Sequence, residues 1–357
     1  ISLDAKSKNC SDFKNYNNTD DCYWLKRVVG IRTPVMIASG TVIDENYIVT
    51  NRHVVEDHPH VIVRFYNGDI KKAYPLSNNH PVDLVVLTLD KSKKTNNLNF
   101  KLTSKTPKSL RVIGFDQGRR KSRIYKDGKI IHFPNLEKYP SSRIHTDAES
   151  LPGNSGGAVI DKNFNLVGFL ASGDGNYNEI VPIQSLEKVI KKSNIKVKKE
   201  FVKQGKNIRI CADTLEFSYK FQRKPPDNLI NKIQTICNLS NNKQLFDQVG
   251  QTFGRWGLFE KSILFLNKSL KLDPYSPNTL LSIAISFHIK RDIVSEKPII
   301  LKLLDLIPED PQVLRLGVQV AGYLRDKSLA KRILNLMKEH NPAALPLAKD
   351  YLQNAFK

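Results

Sequence analysis

Three short segments of the chain place a histidine, an aspartate and a serine beside runs of β-branched residues. They are residues 48–55 (IVTNRHVV), 81–87 (PVDLVVL) and 146–157 (TDAESLPGNSGG). A serine hydroxyl is too weak an acid to attack a carbonyl carbon unaided, so it needs an imidazole to accept its proton and a carboxylate to fix the imidazole tautomer. The segments therefore predict nucleophilic chemistry, with His53 as base, Asp83 as orienting carboxylate and Ser155 as nucleophile.

Glycines around Ser155 add a second component to this chemistry. Gly153 precedes the serine in the run Gly153-Asn154-Ser155, and two more glycines follow it. Because glycine adopts backbone conformations that other residues avoid, the N–H groups of Gly153 and Ser155 can turn towards the oxyanion that forms when a carbonyl is attacked. Each such donor is worth about 3 kcal/mol. We predict that these two N–H groups form the oxyanion hole.

The elements that would position these residues are strands. From residue 28 to about residue 186, short β-branched runs alternate with turn signals such as Asn67-Gly68-Asp69, which indicates an all-β barrel or sandwich. The predicted strands are residues 35–38, 40–43, 47–49, 60–65, 84–89, 110–115, 158–161, 166–171 and 180–183. A short amphipathic helix is predicted to begin at Ser185.

The order histidine, aspartate, serine, each beside a β run, gives residues 28–190 a family resemblance. They resemble the trypsin-like serine peptidases, most closely the HtrA-like branch. The resemblance implies a chymotrypsin-like double barrel that hydrolyses peptide bonds through an acyl-enzyme intermediate. It implies a protein or peptide substrate, no cofactor and no metal. The alternative is a latent or vestigial peptidase domain that serves as a protein-binding scaffold.

The start of the barrel departs from the pattern of secreted digestive peptidases. The run Lys26-Arg27-Val28 looks like their activation cleavage site, after which a new N-terminus pairs with an aspartate just before the serine. That position is Asn154 here, and a neutral amide cannot form the ion pair. We therefore expect no zymogen step of this kind and interpret residues 28–30 as the first barrel strand, behind an N-terminal extension at residues 1–27.

Substrate-binding residues follow from the family's spacing. Glu149, six residues before Ser155, falls where the floor of the primary specificity pocket is expected, and a buried carboxylate there would favour Lys or Arg in the substrate. The alternative is that this loop turns Glu149 to solvent. Ala171, Ser172 and Gly173 resemble the edge strand that pairs with the substrate backbone.

The sequence becomes helical after residue 225, which places a second domain at residues 226–357 behind a basic linker at residues 191–225. Its Asx-Pro pairs recur at residues 273–274, 310–311 and 341–342, with small residues between large apolar ones. This pattern resembles the tetratricopeptide repeat, so the predicted fold is an all-β double barrel followed by an all-α helical repeat domain. Such repeats usually hold a peptide or a partner protein. The alternative is an ordinary helical bundle.

HtrA-like enzymes carry PDZ domains at this position of the chain, so their regulation and assembly are not carried over here.

The net charge of +21 suggests an acidic partner. Part of the excess is local: residues 91–129, which begin at Lys91 and end at Lys129, hold 13 basic side chains against two acidic ones. We predict an acidic partner or an anionic surface there. The segment has few aromatic residues for base stacking and no nucleic-acid motif, so we expect no nucleic-acid partner.

Four cysteines bear on the compartment. Cys10 with Cys22 and Cys211 with Cys237 are the local pairs, and the alternative is four free thiols. If the disulfides form, the compartment is oxidising, which with the HtrA resemblance predicts a periplasmic or secreted protein. The chain begins at Ile1 rather than Met, so we expect a processed or trimmed form. No run approaches the roughly 20 apolar residues of a membrane span.

Overall fold

A computed structural model describes residues 19–90, 106–116, 120–173, 176–196 and 198–357. The chain divides into two compact units. The first unit is residues 1–214 with residues 235–245, and the second is residues 215–234 with residues 246–357. The first unit therefore includes a segment that follows part of the second along the chain.

The first part of the first unit is a closed antiparallel barrel of six strands, counted over the described residues. Its elements are α1 (Thr19–Arg27), β1 (Val28–Arg32), β2 (Ile37–Asp44), β3 (Tyr47–Thr50), α2 (Arg52–Val55), β4 (Val61–Arg64), β5 (Ile70–Pro75) and β6 (Val85–Thr88). The strand order is β1-β2-β3-β6-β5-β4, and β4 pairs with β1 to close the ring. The barrel begins at Val28, as the sequence predicts.

The second part is another barrel. Its elements are β7 (Ser109–Asp116), β8 (Lys121–Ile124), β9 (Gly128–His132), β10 (Ile144–Thr146), β11 (Ala158–Ile160), β12 (Leu166–Gly173), β13 (Asn178–Pro182) and α3 (Ile183–Lys192). Strands β7, β9, β10, β13, β12 and β11 form the ring, which closes where β11 pairs with β7. Strand β8 adds to β7 outside the ring. The predicted double barrel is confirmed.

Alternate side chains of these strands fill the cores. The first barrel encloses Ile31, Val63 and Leu87, all inaccessible to solvent or nearly so. The second encloses Val112 and Val159. A third apolar cluster joins strands of both barrels to helix α3 and includes Val86, Phe169, Val181 and Leu186. The segments that carry His53, Asp83 and Ser155 are each connected to one of these packed strands. The cores therefore fix the ends of those segments.

The interpretation of residues 191–225 as an exposed linker needs correction. Helix α4 spans Lys199–Ser218 and packs on the first barrel, with Phe201 in the barrel core. Its buried apolar residues Phe201, Ile208, Cys211 and Leu215 are spaced for one helical face. In the sequence, lysines at residues 191, 192, 196 and 198 precede the helix and Lys199 begins it, so the start of α4 resembles a continuation of a basic linker.

A disulfide joins Cys211 in α4 to Cys237, with an S–S distance of 2.04 Å. This is one of the two pairs expected from the sequence. Cys22 is buried in α1, and its expected partner Cys10 lies outside the described residues.

Helices make up the rest of the chain. They are α5 (Asp227–Asn238), α6 (Lys243–Arg255), α7 (Phe259–Leu272), α8 (Pro277–Ile289), α9 (Ile293–Leu306), α10 (Pro311–Tyr323), α11 (Lys327–His340) and α12 (Leu345–Ala355). Ser276, Asp292, Asp310 and Asp326 cap the N-termini of α8 to α11 through their side chains. The helical region is as predicted, and its assignment to tetratricopeptide repeats remains a prediction.

Small residues lie where helices of the second unit cross. A Cβ on Gly250 of α6 would come within 2.5 Å of Leu266 of α7, and one on Gly317 of α10 within 2.9 Å of Ile333 of α11. Over the part of the chain that the structure describes, no helix has the length and apolar character needed to cross a membrane.

Candidate active site

His53 and Asp83 meet at the edge of the first barrel. His53 lies on the four-residue helix α2, which directly follows β3, and Asp83 lies in the loop that leads into β6. The Nδ1 atom of His53 is 2.7 Å from Oδ2 of Asp83, and the backbone N–H of His53 donates to Oδ1 at 3.0 Å. Both side chains are almost fully buried. The carboxylate therefore fixes the ring orientation and leaves Nε2 as the atom that can accept a proton.

The charge state of Asp83 depends on its neighbours. Burial by itself would raise the pKa of this carboxyl, but His53 and Arg143 favour the ionised form, so the pKa lies below its usual value. The Nη2 atom of Arg143 is 3.5 Å from Oδ2 of Asp83. Asp83 is thus held as a carboxylate, the form that orients and stabilises a histidine base.

Ser155 lies in the loop between β10 and β11, between two glycines with positive φ. Gly153 has φ 92° and Gly156 has φ 85°, so both positions suit glycine alone. A Cβ on Gly156 would overlap the carbonyl oxygen of Ser39 and the hydroxyl of Thr50. Ser39 also holds the loop, since its N–H donates to the Ser155 carbonyl at 2.8 Å and its hydroxyl to the Gly153 carbonyl at 2.9 Å.

The Ser155 hydroxyl donates to the carbonyl oxygen of Ala171 at 3.1 Å. The β12–β13 pairing has a bulge between Leu170 and Ser172, which leaves Ala171 outside the ladder with its carbonyl available to the serine. Over the described residues, no hydrogen bond joins Ser155 to His53. Hydrogen bonds of this kind are often absent or long before substrate binds.

The N–H groups of Gly153 and Ser155 remain available to a ligand. Within the described parts of the chain, neither donates a hydrogen bond, whereas the N–H groups of Asn154 and Gly156 each have a backbone acceptor. Two donors on the same short turn, one on the nucleophile itself, suit the stabilisation of an oxyanion.

A cavity of about 550 Å³ opens beside Ser155. It is lined by Ser150, Leu151, Pro152, Ser155, Leu170, Ser172, Gly173, Asn178 and Gln244. None of these nine residues is charged. Asn178 is held in place by two hydrogen bonds, from the Ser150 hydroxyl at 2.8 Å and to the Ala148 carbonyl at 2.7 Å. Two of the three predicted edge-strand residues, Ser172 and Gly173, line this cavity, and Ala171 contacts the serine.

Glu149 does not line the cavity. Its side chain is exposed, and its Oε2 accepts a hydrogen bond from the Lys126 N–H at 3.4 Å. Its own N–H donates to the Lys126 carbonyl at 3.1 Å, so the loop is tied at this residue to the segment before β9. This arrangement matches the alternative in which the loop turns Glu149 to solvent.

Helix α4 packs behind the helix that carries His53. The Arg52 guanidinium donates to the Phe201 carbonyl at 2.7 Å and lies 3.9 Å from the centre of the Phe201 ring. Arg209 makes a two-fold contact with Asp57, at 2.7 and 3.0 Å. Burial lowers the pKa of Arg52 to about 10. No local pattern in the sequence indicates this support for His53, because its residues lie about 150 positions further along the chain.

A raised carboxyl pKa marks the same region. Glu56, immediately after α2, is buried, and burial together with nearby Asp213 raises its pKa to about 7. The residue has φ 50°, an uncommon value for a non-glycine residue. A carboxyl group close to the base is therefore titratable near neutral pH.

The structure describes only part of the predicted basic segment, residues 91–129. Residues 91–105 and 117–119 of the 91–129 segment lie outside the described residues. Of the remainder, Arg111 contacts Asp127 at 2.7 Å and Asp21 at 3.5 Å. The predicted acidic partner or anionic surface therefore rests on sequence alone.

Comparison with known proteins bears on the barrels. Residues 38–169 match the family described as trypsin-like peptidase domain. The serine endoprotease DegS of Salmonella typhimurium is 28% identical over 173 residues, which are 44% of this chain and 48% of that protein. The serine protease Do-like HtrA of Bacillus subtilis is 30% identical over 131 residues, 34% of this chain and 29% of that protein.

Among solved structures, the serine endoprotease from Yersinia pestis is 24% identical with a TM-score of 0.39, over 51% of this chain and 64% of that chain. The chain spans less than half the length of the two curated relatives named above. Residues of both barrels thus match the trypsin-like peptidase domain, and serine proteases of the HtrA type are similar to them.

Proposed function

We propose that the chain is a serine endopeptidase that uses His53, Asp83 and Ser155. The observation that carries the proposal is the 2.7 Å contact between His53 Nδ1 and Asp83 Oδ2, on a histidine whose other nitrogen can accept a proton. The match of residues 38–169 to the trypsin-like peptidase domain supports the same chemistry. No cofactor is needed for it.

In the first half of the reaction, His53 Nε2 accepts the Ser155 proton as Oγ bonds to the substrate carbonyl carbon. The carbonyl oxygen becomes negative and accepts hydrogen bonds from the N–H groups of Gly153 and Ser155. His53 then gives its proton to the leaving amine as the C–N bond breaks. In the second half, His53 takes a proton from water as the water oxygen attacks the acyl carbon. The bond between that carbon and Ser155 Oγ then breaks, and His53 returns the proton to Oγ.

The cavity beside Ser155 is proposed to receive the substrate side chain that precedes the cleaved bond. Because the described residues of its lining carry no charge, we propose a preference for uncharged side chains. The edge at Ala171 to Gly173 would pair with the substrate backbone, and substrate binding would replace the Ser155 hydroxyl's contact with the Ala171 carbonyl.

The test is labelling of Ser155 with a fluorophosphonate. We expect rapid labelling of the wild-type chain and none of Ser155→Ala or His53→Ala, with mass spectrometry placing the label on Ser155. The second candidate function is a binding scaffold with a latent peptidase domain, favoured by the hydrogen bond from Ser155 to Ala171 in place of one to His53. A folded wild-type chain that takes no label would support the scaffold.

The helical region is proposed to recruit the substrate or a partner protein. Val294 and Tyr323 are large apolar side chains at the surface of the second unit, 74% and 66% exposed. We expect the double variant Val294→Ser, Tyr323→Ser to hydrolyse short peptides at the wild-type rate and folded protein substrates more slowly. Equal rates on both substrates would argue against recruitment through these side chains.

The proposed location is periplasmic or secreted. The Cys211–Cys237 disulfide supports it, because structural disulfides persist mainly in oxidising compartments. Thiol labelling of the protein taken directly from its native cells would leave Cys211 and Cys237 unmodified if this is correct.

A further inference from the structure

Next to Asp83 lies a row of buried charged side chains. Arg143, just before β10, places Nη2 3.5 Å from Asp83 Oδ2 and Nη1 2.7 Å from Glu179 Oε2. Lys243 places its ammonium nitrogen 2.6 Å from the other oxygen of Glu179. The side chains of Asp83, Arg143, Glu179 and Lys243 are each 5% exposed or less.

The four side chains of this row alternate in charge. Burial would raise the pKa of Glu179, but Lys243 and Arg143 lower it well below its usual value, so this group is a carboxylate. Two cations and two anions thus form a chain of contacts from Lys243 to Asp83. Removing one charge from such a row leaves its buried partner without one of its counter-charges, and the remaining groups must move to compensate.

Glu179 divides its two oxygens between two cations. The Ser172 hydroxyl completes this arrangement, since it accepts from Arg143 Nη1 at 2.8 Å and donates to Glu179 Oε2 at 2.9 Å. While Lys243 occupies Oε1, Glu179 engages a single nitrogen of Arg143, and the second nitrogen faces Asp83. Without Lys243, Glu179 can take both nitrogens of Arg143 as a two-fold pair, which withdraws Arg143 from Asp83.

Lys243 comes from far along the chain, and its position is fixed locally. It is the first residue of α6, and the side chain of Asn242 caps that helix by accepting from the Leu245 N–H at 3.1 Å. The Cys211–Cys237 disulfide secures the preceding residues to α4. Gln244, the next residue, lines the cavity beside Ser155. Residues 235–245 thus contact both the charged row and the cavity.

We propose that Lys243, Glu179 and Arg143 are positioning residues that hold the Asp83 carboxylate against His53, so that residues 235–245 form part of the peptidase site. This inference rests on the proposed peptidase function. It predicts that Lys243 acts on the chemical step through Asp83, whereas its neighbour Gln244 acts on substrate binding through the cavity.

The experiment measures kcat and KM on a short peptide with an uncharged side chain before the cleaved bond. We expect Lys243→Met to lower kcat about tenfold to a hundredfold, the loss typical of a misplaced catalytic group, with KM within about twofold of wild type. Lys243→Arg should restore most of kcat. Gln244→Ala should change KM more than kcat, and Lys191→Met, which removes an exposed lysine, should change neither.

A kcat of Lys243→Met within twofold of wild type would overturn the inference. A melting temperature measured for each variant separates loss of folded protein from loss of rate. If Lys243→Met does not fold, Arg143→Lys decides: it keeps the charge, but one ammonium nitrogen cannot reproduce the contacts that two separate guanidinium nitrogens make with Glu179 and Asp83, so kcat should fall while KM holds. An unchanged kcat in that variant overturns the inference. Absence of fluorophosphonate labelling in the wild-type chain would instead overturn the proposed function, and this inference with it.

Discussion

The surroundings of His53 and of Ser155 differ in where they carry charge. Behind His53 lie Asp83, Arg143, Glu179 and Lys243, all buried and paired. Beside Ser155 lies a cavity whose nine lining residues, among those that the structure describes, are uncharged. The difference indicates that this site uses ionic groups to position its catalytic side chains and uses shape and neutral hydrogen bonds to select a substrate.

The strongest test of the charged residues behind His53 is the substitution Asp83→Asn. The amide has the size of the carboxylate but cannot accept a hydrogen bond from His53 Nδ1 through its NH₂ group, so the histidine is no longer held in the required tautomer. We expect kcat to fall on the order of 10⁴-fold with little loss of stability. The matched control is Asp69→Asn at an exposed turn. Comparable activity in Asp83→Asn and wild type would contradict the role given to the carboxylate.

A second test of the charged residues around His53 concerns Glu56. Its folded-state pKa of about 7 lies above the ordinary 4.5, so the stability that its protonated form contributes is present below pH 4.5 and lost as pH rises to about 7. Glu56→Gln stays neutral at all pH values. We expect it to be more stable than wild type at pH 8, by on the order of 2 kcal/mol, with no gain at pH 4.

Urea unfolding at the two pH values measures this effect. Glu45→Gln, at an exposed carboxyl on the same barrel, serves as the control and should follow wild type at both. A Glu56→Gln gain of equal size at pH 4 and pH 8 would show that titration of Glu56 is not its cause.

A third test concerns the helix that supports His53 from behind. A Cβ on Gly205 of α4 would overlap the Glu56 carbonyl oxygen. Replacing glycine by alanine inside a helix usually adds up to about 1 kcal/mol of stability. We expect Gly205→Ala to destabilise by about 1 to 3 kcal/mol instead, because the close contact must be relieved. Lys203→Ala on the exposed face of α4 is the control, and a stabilised Gly205→Ala would show that α4 does not pack there.

The smallest change in activity is expected from substitutions around the cavity beside Ser155. Glu149→Ala should leave the ratio of kcat/KM for Leu and Lys peptides within about twofold of wild type, since a surface substitution away from the cavity has little influence. Wild type itself should favour the Leu peptide. Asn178→Asp, which adds a carboxylate to the cavity lining, should shift the ratio towards Lys. If wild type instead prefers the Lys peptide and Glu149→Ala loses that preference, a charged residue selects the substrate. The contrast drawn between the surroundings of His53 and of Ser155 would then be wrong.

Local patterns predicted much of the fold and of the site. Residue types within a few positions of one another were sufficient to predict many of the strands. They were also sufficient to predict the roles of His53 and Asp83 and the need for glycines around Ser155. The cores then bring His53 and Asp83 to 2.7 Å, which spacing along the chain cannot give. Strands β5, β8, β9 and β10 were not predicted. In β5 the first three residues are exposed, so the strand lacks the alternation of a buried strand.

The remaining features depend on contacts between distant residues. Nothing local distinguishes Lys243 from the many exposed lysines, because its burial results from pairing with Glu179, 64 residues earlier. The exposure of Glu149 follows from the backbone contact with Lys126, which the family spacing does not contain. Helix α4 shows how a high lysine content can hide an apolar face. A domain boundary drawn at residue 226 would therefore separate Cys237 from Cys211 and Lys243 from Glu179.

The Cys211–Cys237 disulfide has a consequence for the integrity of the chain under proteolysis. The bridge spans residues 212–236, part of which belongs to the second unit. A single cut anywhere in that span leaves the two fragments covalently joined, so residues 235–245 stay attached to α4 after the backbone is broken. A peptidase that nicks its own copies there would run as one band on a non-reducing gel and as two after reduction.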